Sequence, residues 1–159
     1  MRSKLGIVIP LVVLAVAGAL LLTPSASGQT VLHVVFGPQY ATKVVDVDRD
    51  GLRLGDRIAA RGPLLDETQT DRLGTAYLQC LVHKRIIDPD RGLWNCNYVL
   101  ELADGDIMLQ GLDPRGPGVY EISVLGGTGA YVGASGDATF TDVATGADAY
   151  TDMVIRLGG

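Results

Sequence analysis

The sequence predicts an all-β fold, an eight-stranded antiparallel β-barrel with an apolar interior, and three observations support it. Short β-rich runs alternate with Gly, Asp and Pro turns after residue 28. No stretch in that part of the chain has an extended helical period. In three consecutive predicted strands, the apolar side chains share one face and the polar ones the other. Closing such a sheet into a barrel removes its open edges and places the apolar face inside.

The strands are predicted from runs of β-branched, aromatic and aliphatic residues bounded by turn residues. The first two runs read as one bent strand, which leaves about eight strands. A barrel of about eight strands has an interior that side chains can fill or that can hold one small ligand. The predicted strands span 31–36, 40–48, 56–61, 73–85, 93–102, 106–112, 119–125, 136–143 and 148–157.

The two cysteines of the chain, Cys80 and Cys96, fall on neighbouring predicted strands separated by residues 86–92. Paired residue numbers in an antiparallel hairpin have a constant sum, and pairing the cysteines centres the turn on Asp88, within that Pro- and Gly-containing segment. The cysteines then face each other on one side of the sheet, which predicts a disulfide; two buried free thiols are the alternative. A bridge closing a loop of ~15 residues would stabilise the fold by about 3 kcal/mol.

The same register defines which side chains point into the predicted barrel. A second hairpin is predicted at Asp104-Gly105, with Leu102 opposite Ile107. The inward aromatic and aliphatic side chains would either line a ligand cavity or pack as a filled core. The residues expected to line a cavity are Leu78, Trp94, Tyr98, Leu100, Leu109 and Tyr120, with Tyr150 a further candidate.

An export segment is predicted for residues 1–28 and the barrel domain for residues 29–159. Arg2 and Lys4 precede an uncharged apolar run over residues 5–22, and small residues suited to signal-peptidase cleavage follow. A cleaved signal peptide is the favoured interpretation, and a retained N-terminal membrane anchor is the alternative. The domain is therefore expected outside the cytoplasm, either secreted or held at a membrane.

The predicted barrel domain is acidic. Two of the 13 basic residues lie in the N-terminal segment, which leaves 11 basic against 18 acidic residues and a net charge of −7. This balance argues against nucleic acid or an anionic membrane as a partner. The domain has only two histidines and no Cys/His cluster, so no zinc site is predicted.

One stretch has the spacing of a calcium-binding loop. Asp46, Asp48 and Asp50 alternate before Gly51, which matches the first ligands of such a loop. The twelfth position, where a bidentate carboxylate is needed, is Arg57. We therefore interpret the stretch as a strand that turns at Asp50-Gly51, and no metal is predicted.

The stretch "EISVLGGTGAYVGASGDATF" at 121–140 is the most distinctive in the chain. Its glycines suit a tight corner with positive φ better than a phosphate site, because no helical pattern follows them. This stretch resembles the corresponding motif of dirigent proteins and plant allene oxide cyclases. Three more matches follow the same order, at 55–67, 72–82 and 104–111. The resemblance covers about residues 44–157 and implies an eight-stranded antiparallel barrel with an apolar cavity, here in an exported bacterial member.

The active site of the plant cyclases is only partly matched. Their cavity cysteine corresponds to Cys80, for which we predict a disulfide. Their water-holding asparagine corresponds to Gly62, and their first-strand acid to either Asp46 or Asp48. The barrel is therefore expected to be shared without the allene oxide chemistry. Bacterial barrels of this group also include cyclases that fold a polyene or polyketide for cycloaddition.

The resemblance implies a cofactor-independent cyclase or isomerase that folds a hydrophobic polyene or polyketide-like substrate for stereoselective ring formation. The alternative is a non-catalytic dirigent-like or carrier protein for a small hydrophobic molecule. No cofactor is expected, and relatives suggest a homodimer or homotrimer. No triad, metal cluster or phosphate loop identifies catalytic residues, so these remain unassigned. Asp56, Arg57 and Arg61 form one further candidate group, at the barrel mouth.

Overall fold

The computed structural model describes residues 23–24, 29–38, 41–46, 54–84, 93–114, 116–143 and 149–158. Most of the predicted export segment, with Asp48 and Asp50 of the calcium-like stretch, lies outside these ranges. The described residues form ten strands and one short 3-10 helix, Gly129–Tyr131. The strands are β1 Thr23–Pro24, β2 Thr30–Phe36, β3 Ala41–Val45, β4 Arg57–Leu65, β5 Arg72–Lys84, β6 Leu93–Leu102, β7 Gly105–Asp113, β8 Gly118–Gly127, β9 Ser135–Val143 and β10 Tyr150–Gly158.

The sheet closes on itself, which confirms the predicted antiparallel barrel. Its order is β1-β2-β10-β9-β8-β7-β6-β5-β4-β3, and an additional β2–β4 pairing joins the two sides. Eight strands, β2 and β4 to β10, make the closed barrel. Short β1 extends the sheet beside β2, and β3 beside β4. Both β2 and β3 pair with β4. The two runs interpreted as one bent strand therefore form two separate strands.

The interior is lined by alternate residues of the barrel strands, because successive side chains of a strand point to opposite faces of the sheet. On β6 the even-numbered residues are buried, while those between them are half-buried or exposed. The same pattern holds on β4, β8 and β10. The most completely buried large side chains are Phe140, Leu64, Leu100, Ile107, Leu109, Ile122, Met153 and Ile155.

The first predicted hairpin register is confirmed. Cys80 pairs with Cys96, Leu78 with Tyr98, and Val82 with Trp94. The two cysteines form a disulfide with a Cα–Cα distance of 4.0 Å, and both are almost completely buried. The bridge therefore joins β5 to β6 inside the barrel.

The second hairpin differs from the prediction by two residues. Leu102 pairs with Gly105 rather than with Ile107, because Ala103 and Asp104 make the two-residue turn. Gly105 is instead the first residue of β7, with φ 139°, and a Cβ there would lie 2.2 Å from the backbone oxygen of Thr128. The glycine thus serves a close approach of two backbones rather than the turn. A shift of two residues preserves the faces, so the predicted inward set is unchanged.

The glycine-rich connection between β8 and β9 packs against one end of the barrel. Gly126, Gly129 and Gly133 all have positive φ, as predicted for a tight corner. The 3-10 helix in this connection carries Tyr131, whose side chain is buried against the core. This end is therefore covered by the chain itself. Within the described ranges, no helix has the length and apolar character needed to span a membrane.

The disulfide should stabilise the barrel measurably. We expect the Cys80→Ala/Cys96→Ala variant to lose about 3 kcal/mol of unfolding free energy, because the unfolded chain regains the freedom of the closed loop. Denaturant unfolding of the oxidised protein, the reduced protein and the double variant checks this. Equal midpoints for all three would show that the bridge does not contribute.

Gly105→Ala tests the close approach at the β6–β7 hairpin. A Cβ at this position meets backbone and requires a positive φ, so we expect a loss of about 2–3 kcal/mol in unfolding free energy. Gly118→Ala is the matched control, because a Cβ there meets nothing within 4 Å. The control should change stability by no more than about 0.5 kcal/mol. Similar losses in both variants would contradict the assignment.

Candidate functional site

The candidate site lies inside the barrel at the end opposite the glycine-rich connection. Here β5 ends and β6 begins, β7 ends and β8 begins, and β9 ends and β10 begins. Trp94 pairs with Asp113 in the row of residues at this end, and Tyr98 pairs with Leu109 two rows deeper. Asp113 has the same parity as the buried Ile107 and Leu109 on β7, which directs its side chain inward.

Two tyrosine–carboxylate pairs form the polar part of this site. The Tyr98 hydroxyl donates to Asp113 Oδ2 over 3.5 Å, and the Tyr120 hydroxyl donates to Asp142 Oδ1 over 3.5 Å. Thr151 Oγ1 donates to the same Asp142 oxygen over 2.6 Å. The side chains of Tyr98 and Tyr120 also interact with each other, and both rings contact Phe140. Five residues from β6, β7, β8, β9 and β10 thus form one connected group, which we call the Tyr/Asp cluster.

Burial keeps both tyrosine hydroxyls protonated. It raises the pKa of Tyr98 far above its ordinary value, and the nearby Asp113 carboxylate raises it further. Burial likewise raises the pKa of Tyr120, with smaller contributions from Tyr98, Asp113 and Asp142. Ionisation of either phenol would place a second negative charge beside a carboxylate in a low-dielectric interior. The two hydroxyls are therefore hydrogen-bond donors over the whole physiological pH range.

Phe140 holds the two tyrosine rings in place. Its ring centroid lies 5.1 Å from that of Tyr98 in an edge-on arrangement and 5.7 Å from that of Tyr120 in a tilted one. Aromatic pairs prefer such geometries because the positive ring edge meets the negative face. Phe140 itself is fully buried. The orientation of both phenols is thus set by packing as well as by hydrogen bonds.

The disulfide borders the Tyr/Asp cluster. Cys96 Sγ lies 3.9 Å from Asp113 Oδ2. In the part of the chain that the structure describes, one group of three side chains has metal-ligand atoms close enough together, namely Cys80, Cys96 and Asp113. Its two sulfurs are bonded to each other, and a metal needs thiolates, so this disulfide form does not fit a metal.

The structure places all six predicted cavity residues on the inner face of the barrel. Tyr98 and Tyr120 meet at Phe140, and Leu78 and Leu109 flank Tyr98 in its row. Trp94 lies nearer the end of the barrel where β6 begins, and Leu100 lies one row deeper than Tyr98. Tyr120 and Leu78 are partly buried, while the other four are buried. Tyr150, the further candidate, has the opposite parity to the buried Met153 and lies on the other face of β10.

The structure bears on two other sequence-based ideas about the site, and it corrects the first of them. The candidate group Asp56, Arg57 and Arg61 is divided, because Asp56 is buried whereas both arginines are exposed on the other face of β4. Gly62 takes the place of the asparagine of the plant cyclases. A Cβ there would lie 2.6 Å from Phe36 Cε2, so the space for a longer side chain is occupied by the Phe36 ring.

The sequence analysis does not identify the two carboxylates of the cluster, Asp113 and Asp142, as site residues. Asp113 lies one residue beyond the predicted end of its strand, and Asp142 lies within a predicted strand but was not assigned to a face. Extending the alternation from Leu109 and from Phe140 would have placed both side chains inside. No local signal shows that these carboxylates meet Tyr98 and Tyr120, because four different strands carry the four residues.

Comparison with known proteins agrees with the fold. No protein-family profile matches the chain, and no curated protein matches its sequence. Among solved structures, the chain is similar to pyocyanin demethylase, with a TM-score of 0.65 and 21% identity over 80% of this chain and 100% of that one. It is similar to a pterocarpan synthase dirigent protein, with a TM-score of 0.67 and 17% identity over 81% of this chain and 94% of that one.

A third similar structure is AbnU, an exo-specific intermolecular Diels-Alderase. The TM-score is 0.59, with 17% identity over 82% of this chain and 98% of that one. The chain therefore has the barrel fold of the dirigent proteins and Diels-Alderase cyclases, as the sequence resemblance predicted. At these identities the likeness establishes the fold, and the activity has to be argued from the site.

The raised tyrosine pKa values predict how stability depends on pH. The folded state keeps its phenols protonated, whereas the unfolded chain releases these protons above about pH 10. The stability that the two buried phenols contribute is therefore fully present below about pH 10. It is lost as the pH rises further, by up to about 1.4 kcal/mol of unfolding free energy per pH unit for each tyrosine.

The Tyr98→Phe/Tyr120→Phe variant should show a shallower alkaline loss of stability than the wild type. Denaturant unfolding at several pH values between about 9 and 12 measures the slope. Tyr77→Phe removes an exposed tyrosine from the outer face and is the control, in which the wild-type slope should persist. Identical slopes in all three proteins would contradict the buried, protonated state of the pair.

Proposed function

We propose that this protein is a cofactor-independent cyclase or isomerase that folds a hydrophobic polyene or polyketide-like substrate inside the barrel for stereoselective ring formation. The observation that carries the proposal is the Tyr/Asp cluster, in which two protonated phenols lie beside two carboxylates in a mainly apolar interior. An apolar wall binds a flexible hydrocarbon chain without directing it, whereas two fixed donors select one orientation of a polar group.

The chemistry that we assign to the cluster is polarisation of a substrate carbonyl. Two hydroxyl donors facing one carbonyl oxygen withdraw electron density from a conjugated double bond, which makes that bond more reactive in a cycloaddition. Donors fixed before the reaction act strongly in a water-poor interior. Holding the two reacting ends of the substrate together lowers the activation barrier further, since such orientation is worth several kcal/mol. In the free protein, each phenol donates its single proton to the carboxylate of Asp113 or Asp142, so on substrate binding that proton turns from the carboxylate to the substrate carbonyl.

A non-catalytic role is the second candidate, supported by the likeness to a dirigent protein. The same cluster would then orient a small hydrophobic ligand without transforming it. For either role we propose a site of action outside the cytoplasm. The N-terminal apolar segment supports this, and so does the disulfide, because such bonds persist in oxidising compartments.

Turnover by the purified protein separates the two roles. Native mass spectrometry of the protein taken directly from its producing cell, without reductant, should show an apolar small molecule bound. A strain that lacks the protein should accumulate a linear precursor, which the purified protein should cyclise with no added cofactor. Binding without conversion would support the carrier role. A protein that neither binds nor converts such a molecule would contradict both roles.

Single substitutions then test the assigned donors. Tyr98→Phe and Tyr120→Phe should each lower the cyclisation rate by about 10²–10³-fold, the usual effect of removing one fixed donor. Tyr77→Phe is the matched control outside the barrel and should retain the wild-type rate. Unchanged rates in both buried variants would show that the substrate carbonyl is not polarised here.

A further inference from the structure

The side chains of the Tyr/Asp cluster offer more hydrogen-bond acceptor sites than protons. A phenol carries one proton and an ionised carboxylate carries none, while each carboxylate oxygen accepts up to two hydrogen bonds. Tyr98 donates its proton to Asp113. Tyr120 and Thr151 donate theirs to Asp142. A substrate carbonyl that takes both phenol protons therefore removes one donor from each of the two carboxylates.

The hydrogen bonds of the cluster differ in length. Thr151 Oγ1 lies 2.6 Å from Asp142 Oδ1, the short distance that is usual between a hydroxyl and a carboxylate. The Tyr98–Asp113 and Tyr120–Asp142 bonds are both 3.5 Å long, at the outer limit for a hydrogen bond. The threonine bond is therefore the strong one that holds Asp142 in place. The two phenol bonds are the weak ones, which a ligand can replace.

A carboxylate that gives up a donor inside the barrel needs a new one. Asp113 and Asp142 are both half-buried, and a hydrogen bond to a charged group costs more to lose than one between neutral groups. The disulfide does not supply a donor to Asp113, because Cys96 Sγ is bonded to the other cysteine and carries no proton. A ligand that fills the interior also displaces water from the carboxylates. The ligand itself is therefore the most direct source of the new donors.

We propose that the ligand of this barrel carries N–H or O–H donors next to its carbonyl group, as a primary carboxamide does, and that Asp113 and Asp142 select the ligand by these donors. This inference rests on the proposed function, because it takes the two phenols as the groups that hold the carbonyl oxygen. That oxygen accepts hydrogen bonds from Tyr98 and Tyr120. The donors beside it replace the phenols at the two carboxylates, so the cluster keeps its hydrogen bonds when the ligand is bound.

The same two carboxylates discriminate against other head groups. A free carboxylic acid is ionised at neutral pH, and it would bring a further negative charge close to Asp113 and Asp142 in a region of low dielectric constant. Esters are neutral, but their head group offers acceptors and no donor. A site whose buried polar groups are left unpaired by the wrong ligand rejects that ligand strongly. For one hydrocarbon tail, the expected order of affinity is therefore carboxamide, then ester, then carboxylate.

Equilibrium binding of three matched ligands tests this order. Each ligand has the same short conjugated polyene tail, and its head group is a primary carboxamide, a methyl ester or a carboxylate. Isothermal titration calorimetry of the protein as its cell produces it, at neutral pH, measures the three dissociation constants. The carboxamide should bind at least about 10-fold more tightly than the ester, because it restores hydrogen bonds to charged groups. The carboxylate should bind more weakly than the ester.

Two substitutions test which residues select the head group. Asp113→Asn and Asp142→Asn keep the size of the side chain and remove its charge. In each variant the carboxylate ligand should gain at least about 10-fold in affinity, and the advantage of the carboxamide over the ester should shrink. Asp137→Asn is the matched control, because Asp137 lies on the same strand as Asp142 but is exposed on the outer face beside Arg156. It should leave all three affinities unchanged.

The ranking in the wild type decides the proposal without relying on a variant that folds. A carboxamide that binds no more tightly than the ester would overturn it, and so would a carboxylate that binds as tightly as the carboxamide. The proposed function would survive either result, since a polyene would still be bound in the barrel. If none of the three ligands binds, both proposals fail. Wild-type affinities in both buried variants would show that the two carboxylates do not select the head group.

Discussion

Closure of the sheet between β2 and β4 is the constraint on which the rest of this structure depends. A closed antiparallel sheet has no free edge and only two surfaces, so each strand sends alternate residues to the interior and to the outside. This single rule brings Cys80 and Cys96 together inside, and it directs the Tyr/Asp cluster into the barrel. The same rule places the residues between them on the outer surface of the barrel.

The Tyr/Asp cluster is costly within an apolar barrel, which is why its hydrogen bonds matter. A buried hydroxyl or carboxylate loses water and must recover partners within the protein. Asp142 accepts bonds from Thr151 and Tyr120, and Asp113 accepts from Tyr98. A wholly apolar filling would avoid this cost. Departures from the simplest stable packing are expected where a protein binds or transforms a ligand, and this cluster is such a departure.

Proteins with different named activities share this barrel fold. Structures with this fold include a demethylase, a dirigent protein and a Diels-Alderase. What they have in common with this chain is the barrel fold, at sequence identities between 17% and 21%. Activity must therefore be argued from the inward polar residues, and the paired phenols give this barrel donors on an apolar wall.

Local patterns in the sequence determined the class of fold, the first hairpin register and the pairing of Cys80 with Cys96. A period of two, turn residues and a constant pairing sum are properties of neighbouring residues, so they can be read from a single chain. Tertiary structure decided the rest. The second register depends on Gly105 meeting Thr128, two residues that are distant in sequence. Tyr98, Asp113, Tyr120 and Asp142 come from four strands, and only closure of the barrel turns all four toward one interior point.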